Sequence, residues 1–214
     1  SSVGPIPVSF VAVDVGADST PPTASGIAET VLWYRRVGAE ENCAGSPGAW
    51  QQYPGVIAGG GAAQSTGTFQ FDPQNVDGKY CFYPQARDIA GNAEPVPVST
   101  TIARAETLFD RTPSVISVSA APPATAADPS RATLYWTTDD ETTGIVQYGT
   151  STAFGSQAAS SVFSRSHSAT LSSLLYPATI YYRITAANKT ELGSSFAGSF
   201  MTPAKIILPT DIFG

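Results

Sequence analysis

Few residues in this chain have side chains that could do chemistry. His167 is the only histidine and Met201 the only methionine. Nucleophilic catalysis needs a base held against a nucleophile. His167 stands in the run Ser166-His-Ser-Ala-Thr-Leu171, among hydroxyls that are common everywhere in the chain. That context gives it no distinct partner, and no catalytic residue is assigned. Asp139, Asp140 and Glu141 could in principle serve as paired carboxylates for glycoside hydrolysis. They are adjacent in sequence, however, and read as a solvated turn between two strands. Gly59-Gly60-Gly61 lacks the Lys and Ser/Thr of a phosphate-binding loop and reads as a loop.

Three patterns remain. Cys43 and Cys81 lie 38 positions apart, outside any C-x-x-C pair, which argues against zinc. They read as one disulfide formed in an oxidising compartment, worth about 4 kcal/mol in the chain-entropy model, the alternative being two separately buried thiols. Asp14 and Asp18 follow one strand, and Asp88 and Asn92 follow another. If those connections fall at the same end of a sandwich, their oxygens could serve as hard ligands for Ca²⁺, the only cofactor considered. The alternative is that each Asp or Asn caps its own turn. Asn188-Lys189-Thr190 matches a glycosylation acceptor in an expected exposed turn.

The elements that must position these residues are short β-branched or aromatic runs separated by Gly, Pro, Asp and Asn. In the first half the runs are Val8–Val15, Thr30–Val37, Ala49–Tyr53, Thr66–Phe71, Lys79–Arg87 and Val96–Arg104. In the second half they are Val115–Ala121, Ala132–Thr138, Gly144–Gly149, Gln157–Phe163, His167–Ser172, Thr179–Ala187 and Ser195–Thr202. No stretch carries a capped helical stripe. The expected class is all-β, as two tandem sandwiches divided at Asp110-Arg111-Thr112-Pro113. The expected domains are residues 1–111 and 112–203, followed by an apolar extension, 204–214.

Composition narrows the partners. Charge is -6 over 214 residues, which leaves no basic footprint for nucleic acid. The 24 serines and 23 threonines outnumber all charged residues. No apolar run approaches the roughly 18 residues that span a bilayer, so membrane insertion is not expected.

The segments Ala132–Asp139, Val146–Gly149, Ser168–Leu171 and Pro177–Ala187 resemble a fibronectin type III domain. The resemblance is to the kind found in microbial surface proteins and secreted hydrolases. The stretch Pro177–Arg183 is a residue shorter than usual, so Tyr181, Tyr182 or neither makes that family's tyrosine-corner bond. The first half resembles a bacterial immunoglobulin-like repeat through Ser25–Arg35, Gly78–Tyr83 and Arg87–Asn92. On that resemblance Val8–Val15 is the second strand, and only Ser1–Pro7 is left to supply a first. Six strands stand where seven are expected. Meanwhile Ile206, Ile207, Leu208, Ile212 and Phe213 have no place in the second unit.

A sheet without its edge strand exposes unpaired backbone groups, and an apolar tail from another copy could fill the gap. Such a head-to-tail contact need not close and would build a filament. Two readings compete with it: a piece of a longer tandem string, or Ser1–Pro7 forming a short strand. The function implied by the resemblances is a non-catalytic structural module, extracellular or on a cell surface. Its partners would be copies of itself or neighbouring domains. Two alternatives remain. An accessory carbohydrate-binding or spacer module of a secreted hydrolase would use Trp33 and Trp50 as a platform. An adhesin would bind a host or cell-surface ligand through a long Pro54–Gly67 loop.

Overall fold

The computed structural model describes residues 4–15, 24–44, 48–119 and 125–206. The chain is all-β, and no α-helix occurs among the described residues. It divides into two compact units, residues 1–111 and 112–214. No helix among the described residues is long and apolar enough to cross a membrane.

The first unit has six strands: β1 (Ile6–Val13), β2 (Ile27–Val37), β3 (Gln51–Ala58), β4 (Gln64–Phe71), β5 (Gly78–Asp88) and β6 (Ala105–Phe109). They form two sheets, a β1–β4 pair and a four-stranded β3-β2-β5-β6 sheet. Side chains alternate across a strand. Val8, Phe10 and Ala12 of β1 are buried, and so are Phe69 and Phe71 of β4. They share one core with Ile27, Leu32, Tyr80, Phe82 and Phe109 of the other sheet. Phe71 is its hub, with ring centroids of Tyr34, Tyr53, Tyr80 and Phe82 at 4.8–5.1 Å. The Tyr80 hydroxyl donates to the Val76 carbonyl at 2.7 Å, tying the start of β5 to the preceding turn. Burial raises the Tyr80 pKa.

Two expectations are corrected here. Val96–Arg104 is not a strand; the last strand of the unit is β6. Pro95 and Pro97 remove two ladder donors, and Val96, Val98 and Ile102 stay exposed. The stretch runs instead across the outer face of β2 and β5. There the Val98 and Ser99 carbonyls accept from Trp50 Nε1 and Arg35 Nη1, both at 2.9 Å. The Pro54–Gly67 loop is also shorter than expected, because β3 continues to Ala58 and β4 starts at Gln64. A register shift opposite Leu32 lets the edge strand absorb Pro54-Gly55, with Gly55 at φ +108°.

The second unit has five strands: β7 (Ile116–Val118), β8 (Ala132–Gly149), β9 (Ser156–Leu171), β10 (Ala178–Asn188) and β11 (Gly193–Thr202). The longest strand, β8, changes partners along its length. Residues 132–138 of β8 pair with β7 and the end of β9, whereas residues 142–149 pair with β10 and the start of β9. Asp139–Glu141 is therefore a bend inside β8, where the β9 register shifts between Thr137 and Thr142, and not a turn that ends it. Asp139 Oδ1 accepts from the Val115 N–H at 2.7 Å. The core is mainly aliphatic, with Leu134, Val146, Leu171, Ile180 and Ile184 packed around Trp136 and Tyr182.

Candidate functional site

The feature with functional content is the outer edge of β1. This strand hydrogen-bonds only to β4. The Asp14 N–H donates to the Ala63 carbonyl at 2.9 Å, which sets the phase of the ladder. Antiparallel bonds alternate, so Ala12, Phe10 and Val8 point their backbone groups at β4. Ser9, Val11 and Val13 point theirs away, along an edge with no neighbouring strand among the described residues. No strand occurs in Gly4-Pro5, and residues 1–3 lie outside the described ones.

Below that edge the unit is open. A groove of about 570 Å³ is lined by Phe10–Val15, Ile27, Thr30, Pro84, Ala86 and Asp88, with Asn92–Glu94 and Arg104 on the far rim. Its cause lies in β5. The β6 ladder ends at Phe82, and beyond it Pro84 has no N–H to offer a further strand. Glu94 closes the next stretch, its N–H donating to the Ala86 carbonyl and its Oε2 accepting from the Ala86 N–H, both at 3.1 Å. Arg104 caps this rim, paired to Glu94 at 2.6 Å and stacked on the Tyr83 ring. The groove wall holds one anomaly: the Thr30 Oγ1 is buried without a hydrogen-bond partner, and the residue is 1% exposed.

Asp14, Asp88 and Asn92 all line the same end of this groove; Asp18 lies outside the described residues. They do not converge as a calcium shell. Asp14 Oδ2 accepts from the Gly26 N–H at 3.0 Å. Gly26 sits at φ +85°, where a Cβ would strike the Gly61 carbonyl. Asp88 accepts from the Asn92 N–H at 2.7 Å and from Asn92 Nδ2 at 2.8 Å, and these bonds hold its pKa below the ordinary carboxylate range. Asp88 and Asn92 hold their own turn while Asp14 bonds across to Gly26, and no group of three metal-ligating residues occurs among the described ones.

The other singled-out residues have structural settings. Cys43 and Cys81 form a disulfide, packed with Val37 beside Trp50 and Ala103. Arg35, buried beside it, donates to the Cys43 carbonyl and stacks on Trp50. The indole N–H groups of Trp33 and Trp50 are spent on Gln85 Oε1 and the Val98 carbonyl. Trp50 also packs edge-on against Tyr83. A second cavity, of about 710 Å³, is lined by Tyr34, Tyr53 and Tyr80. Their hydroxyls already donate to Gln51 Oε1 and to the Gln70 and Val76 carbonyls.

In the second unit Asn188 is 3% exposed, which corrects the expected exposed acceptor. Its Oδ1 takes hydrogen bonds from the Thr190 and Leu192 N–H groups at 3.1 and 2.9 Å, knitting the β10–β11 turn. Neither Tyr181 nor Tyr182 forms a corner bond among the described residues; the Tyr148 hydroxyl instead donates to the Ser172 carbonyl at 3.3 Å. His167 is buried and stacked on Trp136, with centroids 5.1 Å apart. Its Nε2 shares a hydrogen bond with Thr142 Oγ1 at 3.0 Å and its Nδ1 one with Ser160 Oγ at 3.2 Å. Burial lowers its pKa.

Of the extension, Ala204–Ile206 is described and is not strand. The Ile206 N–H donates to the Ala126 carbonyl at 3.1 Å while the residue stays exposed. Ile207, Leu208, Ile212 and Phe213 lie outside the described residues. The sequence had suggested a missing edge strand but not the groove beneath it; the signal was Pro84, a proline in the middle of a strongly alternating run. No family model and no curated protein matches this chain.

Proposed function

We propose that this chain is a non-catalytic structural module of an extracellular, microbial cell-surface or appendage protein, and that it assembles end to end through β1. On this reading the units are an immunoglobulin-like sandwich lacking one edge strand and a fibronectin type III-like sandwich. The carrying observation is that, among the described residues, the outer edge of β1 is unpaired above a groove of mixed polar and apolar lining. A strand edge of this kind is normally covered, charged or bulged, because otherwise it templates pairing with another chain. Val11 and Val13, on the outer face of β1, are exposed aliphatics with no charged neighbour on that strand. The disulfide and hydroxyl-rich surface suit an oxidising, extracellular setting.

Sedimentation velocity over a concentration series, with electron microscopy of the same samples, tests the proposal. The expected result is mass that grows with concentration and linear chains in the images. Single particles at every concentration would refute it.

A further inference from the structure

We infer that the cleft between the start of β3 and the β4–β5 connection is a binding site for a neutral oligosaccharide, a short stretch of a hexose-based glycan chain. The inference stands apart from the assembly reading, because this cleft shares no residue with the groove beside β1.

The aromatic part of the site is fixed in advance. Tyr34 on β2 and Tyr53 on β3 are half-buried, with ring planes at 80° and centroids 6.2 Å apart, and both pack on Phe71. Their hydroxyls are committed. Tyr34 donates to Gln51 Oε1 at 2.8 Å; Tyr53 donates to the Gln70 carbonyl at 2.8 Å and accepts from the Asp72 N–H at 3.2 Å. Rings held this way need little further ordering when a ligand arrives. A hexopyranose has an apolar C–H face that the negative face of an aromatic ring attracts, and a rim of hydroxyls that both donate and accept.

The polar part matches that rim. Gln51, Gln52 and Gln74 line the cleft together with Asp72 and Arg36. The Tyr34 hydroxyl takes the oxygen of Gln51 and leaves its Nε2 to donate. The side-chain amides of Gln52 and Gln74 make no hydrogen bond among the described residues. Asp72 spends Oδ1 on the Gln74 N–H at 2.8 Å and keeps Oδ2. An amide carries donor and acceptor on one planar group, which is what a pair of neighbouring sugar hydroxyls requires. Charge sets the class of glycan: the lining holds one cation and one anion, and the chain as a whole is at -6, which repels acidic polysaccharides.

A strained turn places one of these amides. Gln74 and Asn75 sit at φ +52° and +61°, a left-handed conformation that side chains other than glycine rarely adopt. The cleft walls hold the turn there: the Tyr80 hydroxyl donates to the Val76 carbonyl at 2.7 Å and Arg36 Nη1 to the Asp77 carbonyl at 3.0 Å. Strain that its surroundings over-determine recurs at ligand sites. The cleft volume, about 710 Å³, falls in the roughly 300–1,000 Å³ range of small-ligand sites.

The test is a titration of the full chain, isotope-labelled and dilute, read by NMR of its backbone and side-chain amides. Cellohexaose, chitohexaose and mannohexaose are the neutral probes, and hexagalacturonate is the acidic one. At least one neutral hexaose is expected to give saturable shifts centred on Gln52 and Gln74, and hexagalacturonate none. Gln52→Ala, and Gln74→Gly, which also relieves the left-handed backbone, are each expected to weaken that binding about tenfold without lowering the melting temperature. No shift with any neutral probe overturns the inference. So do shifts centred elsewhere on the chain, binding that hexagalacturonate matches, or binding that both variants retain. None of these outcomes bears on assembly, which sedimentation reads separately.

Discussion

The two units solve the same packing problem in different ways. The first uses aromatic rings around Phe71, a disulfide and a segment folded over its outer face, and among the described residues still leaves the outer edge of β1 unpaired. The second uses aliphatic side chains and no disulfide, and its long strand β8 bends to pair with β7 along one part and β10 along the other, with β9 following it. The first unit thus has extra covalent and aromatic reinforcement, placed away from the groove that the same unit carries. Reinforcement and incompleteness occurring together is what an acceptor needs: it must stay folded while its edge waits for a strand.

Removing each hub should separate the units most sharply. Phe71→Ala is expected to cost the first unit about 3–5 kcal/mol, and Trp136→Ala the second about as much, each leaving the other unit's melting unchanged. Differential scanning calorimetry reads this as one transition moving and one holding. Joint movement of both would break the comparison.

Next in size is the disulfide. Cys43→Ala with Cys81→Ala is expected to destabilise the first unit by roughly 2–5 kcal/mol and to loosen Arg35 and Trp50, which pack beside it. Reduction of the parent protein should give the same selective shift, measured by tryptophan fluorescence in denaturant. An equal shift in the second unit would contradict it.

A smaller and pH-dependent effect belongs to the second unit. Burial holds the His167 pKa below its usual 6.5, so the folded state binds its proton less readily than the unfolded state. The contribution of neutral His167 is complete above about pH 6.5 and is lost as pH falls from there through the folded pKa. Because this is the only histidine, His167→Gln should remove that slope from the second transition and leave the first untouched. A proton NMR titration reading an unshifted imidazole would refute the burial argument.

How much of this was legible beforehand follows from which signals compete. Runs such as Val8, Phe10, Ala12 and Leu134, Trp136 alternate cleanly, and they are strands with those residues inward. The Cys43–Cys81 bond needed only their isolation from any metal-binding spacing. Val96–Arg104 misled because its apolar residues imitate alternation, whereas Pro95 and Pro97 forbid the ladder. Asp139–Glu141 looked like a turn because three acidic residues in a row avoid cores; a bend that drops out of the ladders between Thr138 and Thr142 while the strand continues gives the same pattern. The buried setting of Asn188 was invisible, since its burial depends on Leu192 and Thr190 folding back onto its amide oxygen. The groove itself was not legible, because its lining is gathered from β1, β2, β5 and the stretch after β5.

The central claim is that the outward backbone groups of β1 stand open until another chain covers them. Residue-resolved amide hydrogen exchange tests it most directly. In dilute monomer, Ser9, Val11 and Val13 should exchange fast while Phe10 and Ala12, bonded to β4, are protected; on assembly all five should become slow. Slow exchange at Val11 and Val13 in the dilute monomer, or fast exchange that survives assembly, would contradict the account.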